Sequence, residues 1–110
     1  MDRRLDVVGV HMSSLVVVVV KADVEKFKKF AAENGDVMKQ IAERGRAAGA
    51  IHHRFGAANG NVIVIDEWES GDEFQRFFGD PDIAKVMQES GAEGEPQVYI
   101  VDALDTPDQF

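Results

Sequence analysis

The chain has 110 residues, of which 45% are hydrophobic and 29% charged, enough apolar side chains for one modest core and a single domain. Its formal net charge of -8 disfavours nucleic acid and anionic membranes as partners, because phosphates reward clustered Lys and Arg and the basic residues here are interleaved with acids. Cysteine is absent, which excludes disulfides, thiolate zinc sites and cysteine nucleophiles and fits a reducing cytoplasm.

Residues 1–13 open with Asp2, Arg3 and Arg4 and then carry Val7, Val8, Val10 and Met12 around Gly9, the pattern of an extra edge strand or an N-terminal arm on which His11 is exposed. The first predicted strand spans residues 14–21, where five consecutive valines follow Leu15. Alternation is missing, so both faces of this strand are expected to be dry. The run is too short to cross a bilayer and does not end in a small-residue cleavage pattern, so neither a membrane anchor nor a signal peptide is expected.

Asp23 can cap a helix in which Val24, Phe27, Phe30 and Ala31, then Met38, Ile41 and Ala42, follow helical spacing. Gly35 and Asp36 are expected to kink or split it, with Asp36 capping a second segment that ends near residues 45–49. Residues 50–55 read as a strand and residues 56–60 as a hairpin loop. Asn61 then leads into Val62, Ile63, Val64 and Ile65, a β-branched run that carries the only tryptophan, Trp68, into a helix start. Ser70 and Glu73 form a capping box, which predicts a helix from about Gly71 with Phe74, Phe77 and Phe78 on one side. Asp80 and Pro81 restart a helix in cap-then-proline order, with Ile83, Val86 and Met87 facing inward until Gly91. A Gly/Glu-rich loop leads to a last strand over residues 97–103 and an acidic tail over residues 104–110.

The order strand, helix, strand, strand, helix, strand is the split βαβ arrangement of an α+β, ferredoxin-like βαββαβ domain over residues 14–103. Helices can cover only one face of its sheet. Because the valine strand calls for burial on both, two chains are expected to pack sheet against sheet as a homodimer; the alternative is a monomer whose N-terminal arm covers the second face.

With Asp66, Glu67, Trp68, Glu69 and Ser70 leading into Phe74, Gln75, Arg76, Phe77 and Phe78 and a following Asp80-Pro81 helix, the chain resembles the antibiotic-biosynthesis-monooxygenase-like family of dimeric α+β barrels. The resemblance covers residues 15–103, and its diagnostic part is this central stretch. It implies a homodimer with a pocket between sheet and helices in each subunit. Some members oxidise polycyclic aromatic substrates with oxygen and no added cofactor, others degrade haem, and many have no known reaction. Trp68 matches the tryptophan with which haem-degrading relatives shape their pocket, and Asp66 takes the place of an acidic residue two positions before it. Those relatives also use a helix histidine where this chain has Phe77 or Phe78, and a first-strand asparagine where it has leucine and valine. Haem degradation by that route, or any cofactor, is therefore not expected.

Strand parity selects the remaining candidates. Ile51, His53 and Phe55 share a face and His52 and Arg54 the other, so the two histidines cannot jointly bind one metal. His53 is either a pocket base or a core or interface histidine. Asp66 and Trp68 share a face with Val62 and Val64; the carboxylate can act as a base or orient a substrate hydroxyl, or it can pair with Arg54 on the adjacent strand. Glu67 and Glu69 on the opposite face read as solvated or interfacial. Tyr99 can donate to a ligand oxygen or pack at a sheet edge. Phe74 and Phe78 are core, and become ligand walls if a cavity exists. No phosphate loop, dinucleotide glycine motif, zincin motif or Ser/His/Asp signature is present. Two functions follow: a cofactor-independent monooxygenase for a small apolar or aromatic molecule, with His53 or Asp66 as base and Trp68, Tyr99, Phe74 and Phe78 as binding residues, or a non-catalytic ligand-binding or structural homodimer.

Overall fold

Everything in the fold is hung on β1 (Ser14–Lys21), which lies inside the sheet with a neighbour on each side. The computed structural model describes residues 12–110, and the expectations for residues 1–11, including His11, lie outside the described residues. The elements that follow β1 are α1 (Val24–Glu33), α2 (Gly35–Ala48), β2 (Ala50–Ala58), β3 (Asn61–Trp68), α3 (Gly71–Phe78), α4 (Pro81–Glu89) and β4 (Gln97–Asp102). The four strands form one antiparallel sheet in the order β2-β3-β1-β4. This is the α+β, ferredoxin-like arrangement, with the helices on one face.

The two faces of β1 have different fates. Val16 and Val18 are fully buried and Val20 nearly so, packed with Trp68 and Phe74 beneath the helices. Burying a valine side chain is worth about 1.5–3 kcal/mol, so this strand anchors the core. Leu15, Val17 and Val19 point to the opposite face, which the described residues leave uncovered. There they join Ile63 and Ile65 of β3 and Tyr99 and Val101 of β4, their partners in the ladder.

The helix boundaries follow local chemistry. Asp23 accepts from the Lys26 amide at 3.0 Å, and Ser70 accepts from the Glu73 amide at 3.2 Å while its hydroxyl donates to the Glu73 carboxylate at 3.0 Å. Asp80 accepts from the Asp82 amide at 2.8 Å, with Pro81 at the first helical position, where its missing N–H costs nothing. The break between α1 and α2 falls at Asn34 rather than at Gly35-Asp36. The Asn34 side chain donates to the Phe30 carbonyl at 3.0 Å and so closes α1; Asp36 lies within the first turn of α2, where its negative charge is favourable beside the positive end of the helix dipole.

The β2–β3 hairpin is tighter than its sequence suggests. Within the hairpin only Asn59 and Gly60 take positive φ, 54° and 77°, so these two residues make the reversal and β2 runs on to Ala58. Beyond the sheet, residues 104–110 are exposed along their whole length. Among the described residues no helix is long and apolar enough to cross a membrane.

Gly49 ends α2 with φ 127°, and a Cβ built there would stand 2.8 Å from the Glu73 carboxylate. Gly49→Ala is therefore expected to lose about 2 kcal/mol in urea unfolding, against about 1 kcal/mol for Gly60→Ala, where φ is 77° and space is open.

Candidate active site

Between the helix layer and the sheet lies a cavity of about 610 Å³, the size of a drug-like ligand site. Its floor is the covered face of the sheet, including Val18, Val62, Val64, Asp66 and Trp68, and its walls come from all four helices. The lining is apolar over most of its extent. Phe74 packs edge-on against Trp68 with ring centroids 5.5 Å apart and stacks on Phe78 at 5.2 Å, while Phe77 lies 5.4 Å from the Trp68 ring. The cavity is thus walled by phenylalanines on the helix that follows the tryptophan.

In this apolar setting one polar chain is built. The Asp66 side chain is only 5% exposed, and both its oxygens are engaged: the Trp68 indole Nε1–H donates to Oδ2 at 3.0 Å, and His53 Nδ1 stands 2.7 Å from Oδ1. An indole N–H can only donate, so Asp66 serves Trp68 as an acceptor. With Asp66 ionised, His53 Nδ1 must also carry its proton, and the lone pair of the neutral ring is then on Nε2. Such a carboxylate–imidazole pair fixes the tautomer and leaves the outer nitrogen basic. The His53 side chain is 40% exposed, and its ring packs edge-on against Phe55 at 4.8 Å.

Strand register produces this pairing. His53 sits directly opposite Asp66 in the β2–β3 ladder, Phe55 opposite Val64, and Arg54 opposite Ile65 on the other face. Arg54 is therefore not the partner of Asp66. A bulge between Ala50 and His52 sets Ala50 opposite Trp68, so the strand keeps its covered face through the irregularity. That shift of parity lets Ile51 and His52 both border the cavity, although His52 also pairs across from Glu67 on the uncovered side. Glu67 accepts from the Ser13 hydroxyl.

Of the residues singled out from sequence, His53, Asp66, Trp68, Phe74 and Phe78 are brought together around one cavity. Tyr99 is not. It lies opposite Val17 on the uncovered face, 54% exposed, because β4 enters its ladder with odd-numbered residues turned away from the helices. Its hydroxyl lies 3.4 Å from the Gln97 side chain. Sequence reasoning passed over Lys39 and Arg46, which border the cavity from α2 beside Ala42. Their spacing along the helix was the available signal. Among the described residues no three His, Cys, Asp or Glu side chains converge so as to hold a metal ion.

No family model matches the chain, and no curated protein matches it. Solved structures do. A monooxygenase from the gene ActVA-Orf6 of Streptomyces coelicolor, in complex with the ligand nanaomycin D, is 21% identical, with 87% of this chain and 91% of that one covered and a TM-score of 0.62. An antibiotic biosynthesis monooxygenase from Caulobacter crescentus, named so provisionally, is 19% identical over 86% of this chain and 92% of its own, with a TM-score of 0.59. A dimeric ferredoxin-like protein from an uncultured marine organism is 12% identical over 90% and 94%, with a TM-score of 0.61. At these identities the likeness is one of fold, and that fold is the one the antibiotic biosynthesis monooxygenase structures share.

If Asp66 sets the tautomer, long-range ¹H–¹⁵N spectra will show His53 with its proton on Nδ1 and its lone pair on Nε2 in the wild-type protein at a pH where the ring is neutral. Asp66→Ala should mix the two tautomers; an unchanged spectrum would dissociate the carboxylate from the imidazole.

Proposed function

We propose that this chain binds a small hydroxylated aromatic molecule in the cavity and oxygenates it without an added cofactor, with His53 as the base and Asp66 as the residue that orients it. The observation that carries the reading is the His53–Asp66–Trp68 chain set into an otherwise apolar cavity of about 610 Å³. A folding role alone does not call for a partly exposed imidazole backed by a buried carboxylate. The fold shared with the Streptomyces monooxygenase supports the same reaction class.

The chemistry asks little of the protein beyond these groups. A ring methylene conjugated with a ring carbonyl, the keto tautomer of a phenol, loses a proton to His53 Nε2, and its charge is delocalised onto the carbonyl oxygen. The carbanion passes its electrons to dioxygen and forms a C–O bond, giving a hydroperoxide; this loses water as the O–O bond breaks, and a ketone remains. One oxygen atom enters the product, the other leaves as water, and the substrate supplies all the electrons. Imidazolium formed in the first step is stabilised by the Asp66 carboxylate at 2.7 Å, and the phenylalanine walls keep solvent from the carbanion.

We further propose that the functional unit is a homodimer joined through the uncovered sheet face. Leu15, Val17, Ile63, Ile65, Tyr99 and Val101 form a contiguous apolar surface there, larger in character than the scattered exposed residues of an ordinary monomer. The dimeric ferredoxin-like neighbour supports this arrangement.

For the reaction, a panel of hydroxylated polycyclic aromatics should quench the fluorescence of Trp68, the only tryptophan. Turnover should consume oxygen without added flavin or metal. His53→Ala should slow oxygen uptake by about a hundred-fold or more with quenching retained. Quenching by the whole panel with no oxygen uptake would instead assign the cavity to ligand binding alone. For the assembly, light scattering at micromolar concentration should give twice the chain mass. Val17→Lys, on the uncovered face, should give a folded monomer by circular dichroism, whereas Val18→Lys, beneath the helices, should unfold the chain. A wild-type monomer would reject the dimer.

A further inference from the structure

We infer that the cavity's ligand carries a carboxylate, taken at the cavity mouth by Lys39 and Arg46 of α2. This rests on the reading of the cavity as a ligand site and adds to it the charge of the ligand.

Burial along α2 locates the mouth. Met38 and Ile41 are half-buried and Gly45 is buried, forming the wall, whereas Lys39, Ala42 and Arg46 border the same cavity and are exposed. Across from them, Ile51, His53 and Phe55 of β2 border it and are also exposed. β2 is an edge strand, so the opening lies between α2 and the edge of the sheet.

The charge at this opening runs against the rest of the molecule. The chain has 20 acidic and 12 Lys or Arg residues, yet among the described residues neither Lys39 nor Arg46 has a carboxylate within ion-pair distance. Arg44, two residues before Arg46 on α2, is by contrast held by Asp80 at 2.7 Å and Asp82 at 3.8 Å. The only carboxylate bordering the cavity, among the described residues, is Asp66, and His53 and Trp68 already occupy it. Two uncommitted cations therefore face a cavity whose interior offers no free anion.

Geometry suits a single planar anion. Lys39 and Arg46 are seven positions apart, about 10 Å along the helix axis, with Ala42 between them. The alanine methyl leaves room for both long side chains to lean over one group, and the guanidinium fork matches a carboxylate. An aromatic acid held there would extend its apolar body inward toward Trp68, past His53 on the opposite rim.

The test compares a hydroxynaphthoic acid with its neutral parent naphthol by isothermal titration calorimetry at neutral pH and low salt. Two partly exposed ion pairs predict that the acid binds the wild-type protein about ten-fold more tightly than the naphthol. That preference should shrink at about 1 M salt, where the Debye length is about 3 Å. In a Lys39→Gln, Arg46→Gln double variant the acid should fall to the affinity of the naphthol, and naphthol binding should stay unchanged. Equal binding of both probes by the wild-type protein, or a preference that survives in the double variant, would overturn the carboxylate while leaving the cavity as a ligand site. Binding of neither probe would overturn both.

Discussion

A carboxylate buried among aromatic and aliphatic side chains must be satisfied on both oxygens or it destabilises the fold by several kcal/mol. Asp66 meets that demand with one donor from its own strand, the Trp68 indole, and one from the neighbouring strand, the His53 imidazole. The arrangement binds three features together. It orients the indole against the phenylalanines of α3, it requires His53 to stand opposite Asp66 in the β2–β3 register, and it makes the β2 bulge tolerable, because the slip lies beyond the pair on which the cavity depends. A shift of β2 by one residue would turn His53 to the other face and leave the carboxylate with a single partner.

The sheet also shows how one strand can serve two interiors. Val16, Val18 and Val20 complete the core beneath the helices, while Leu15, Val17 and Val19 supply an apolar surface on the other side. A strand with both faces apolar is stable in a small domain only if something is laid on each face. The helices account for the first. The second is the surface through which the proposed dimer forms, and it lies on the far side of the sheet from the cavity, so assembly and ligand binding do not compete for the same residues.

Inside the cavity, charge is rationed. The interior is lined mainly by phenylalanine, valine and methionine, its one carboxylate is hydrogen-bonded with one imidazole, and the two cations border the opening. The proposed base and the cations lie on opposite rims, His53 on the edge strand and Lys39 and Arg46 on α2. In the proposed reading, a ligand anchored by its charge at one rim would meet the His53 ring from the other, and positioning of this kind contributes to rate as well as affinity.

By itself the sequence determined the elements and their order. Unbroken β-branched runs marked β1 and β3, Asp23, Ser70 and Asp80-Pro81 marked helix starts, and period-two parity set Asp66 and Trp68 on one face, because each of these signals depends only on neighbouring residues and backbone geometry. The tertiary structure decided what met across elements. Parity could not say that His53 rather than Arg54 would face Asp66, since that needs the register of two strands joined by a turn whose length depends on two φ values. Nor could it say that Tyr99 would turn away from the cavity, because the phase of β4 against β1 is set by pairing between residues some eighty positions apart. Sequence reasoning passed over Lys39 and Arg46 for the same reason: a cation comes to border a cavity only when packing has placed α2 beside the edge of the sheet.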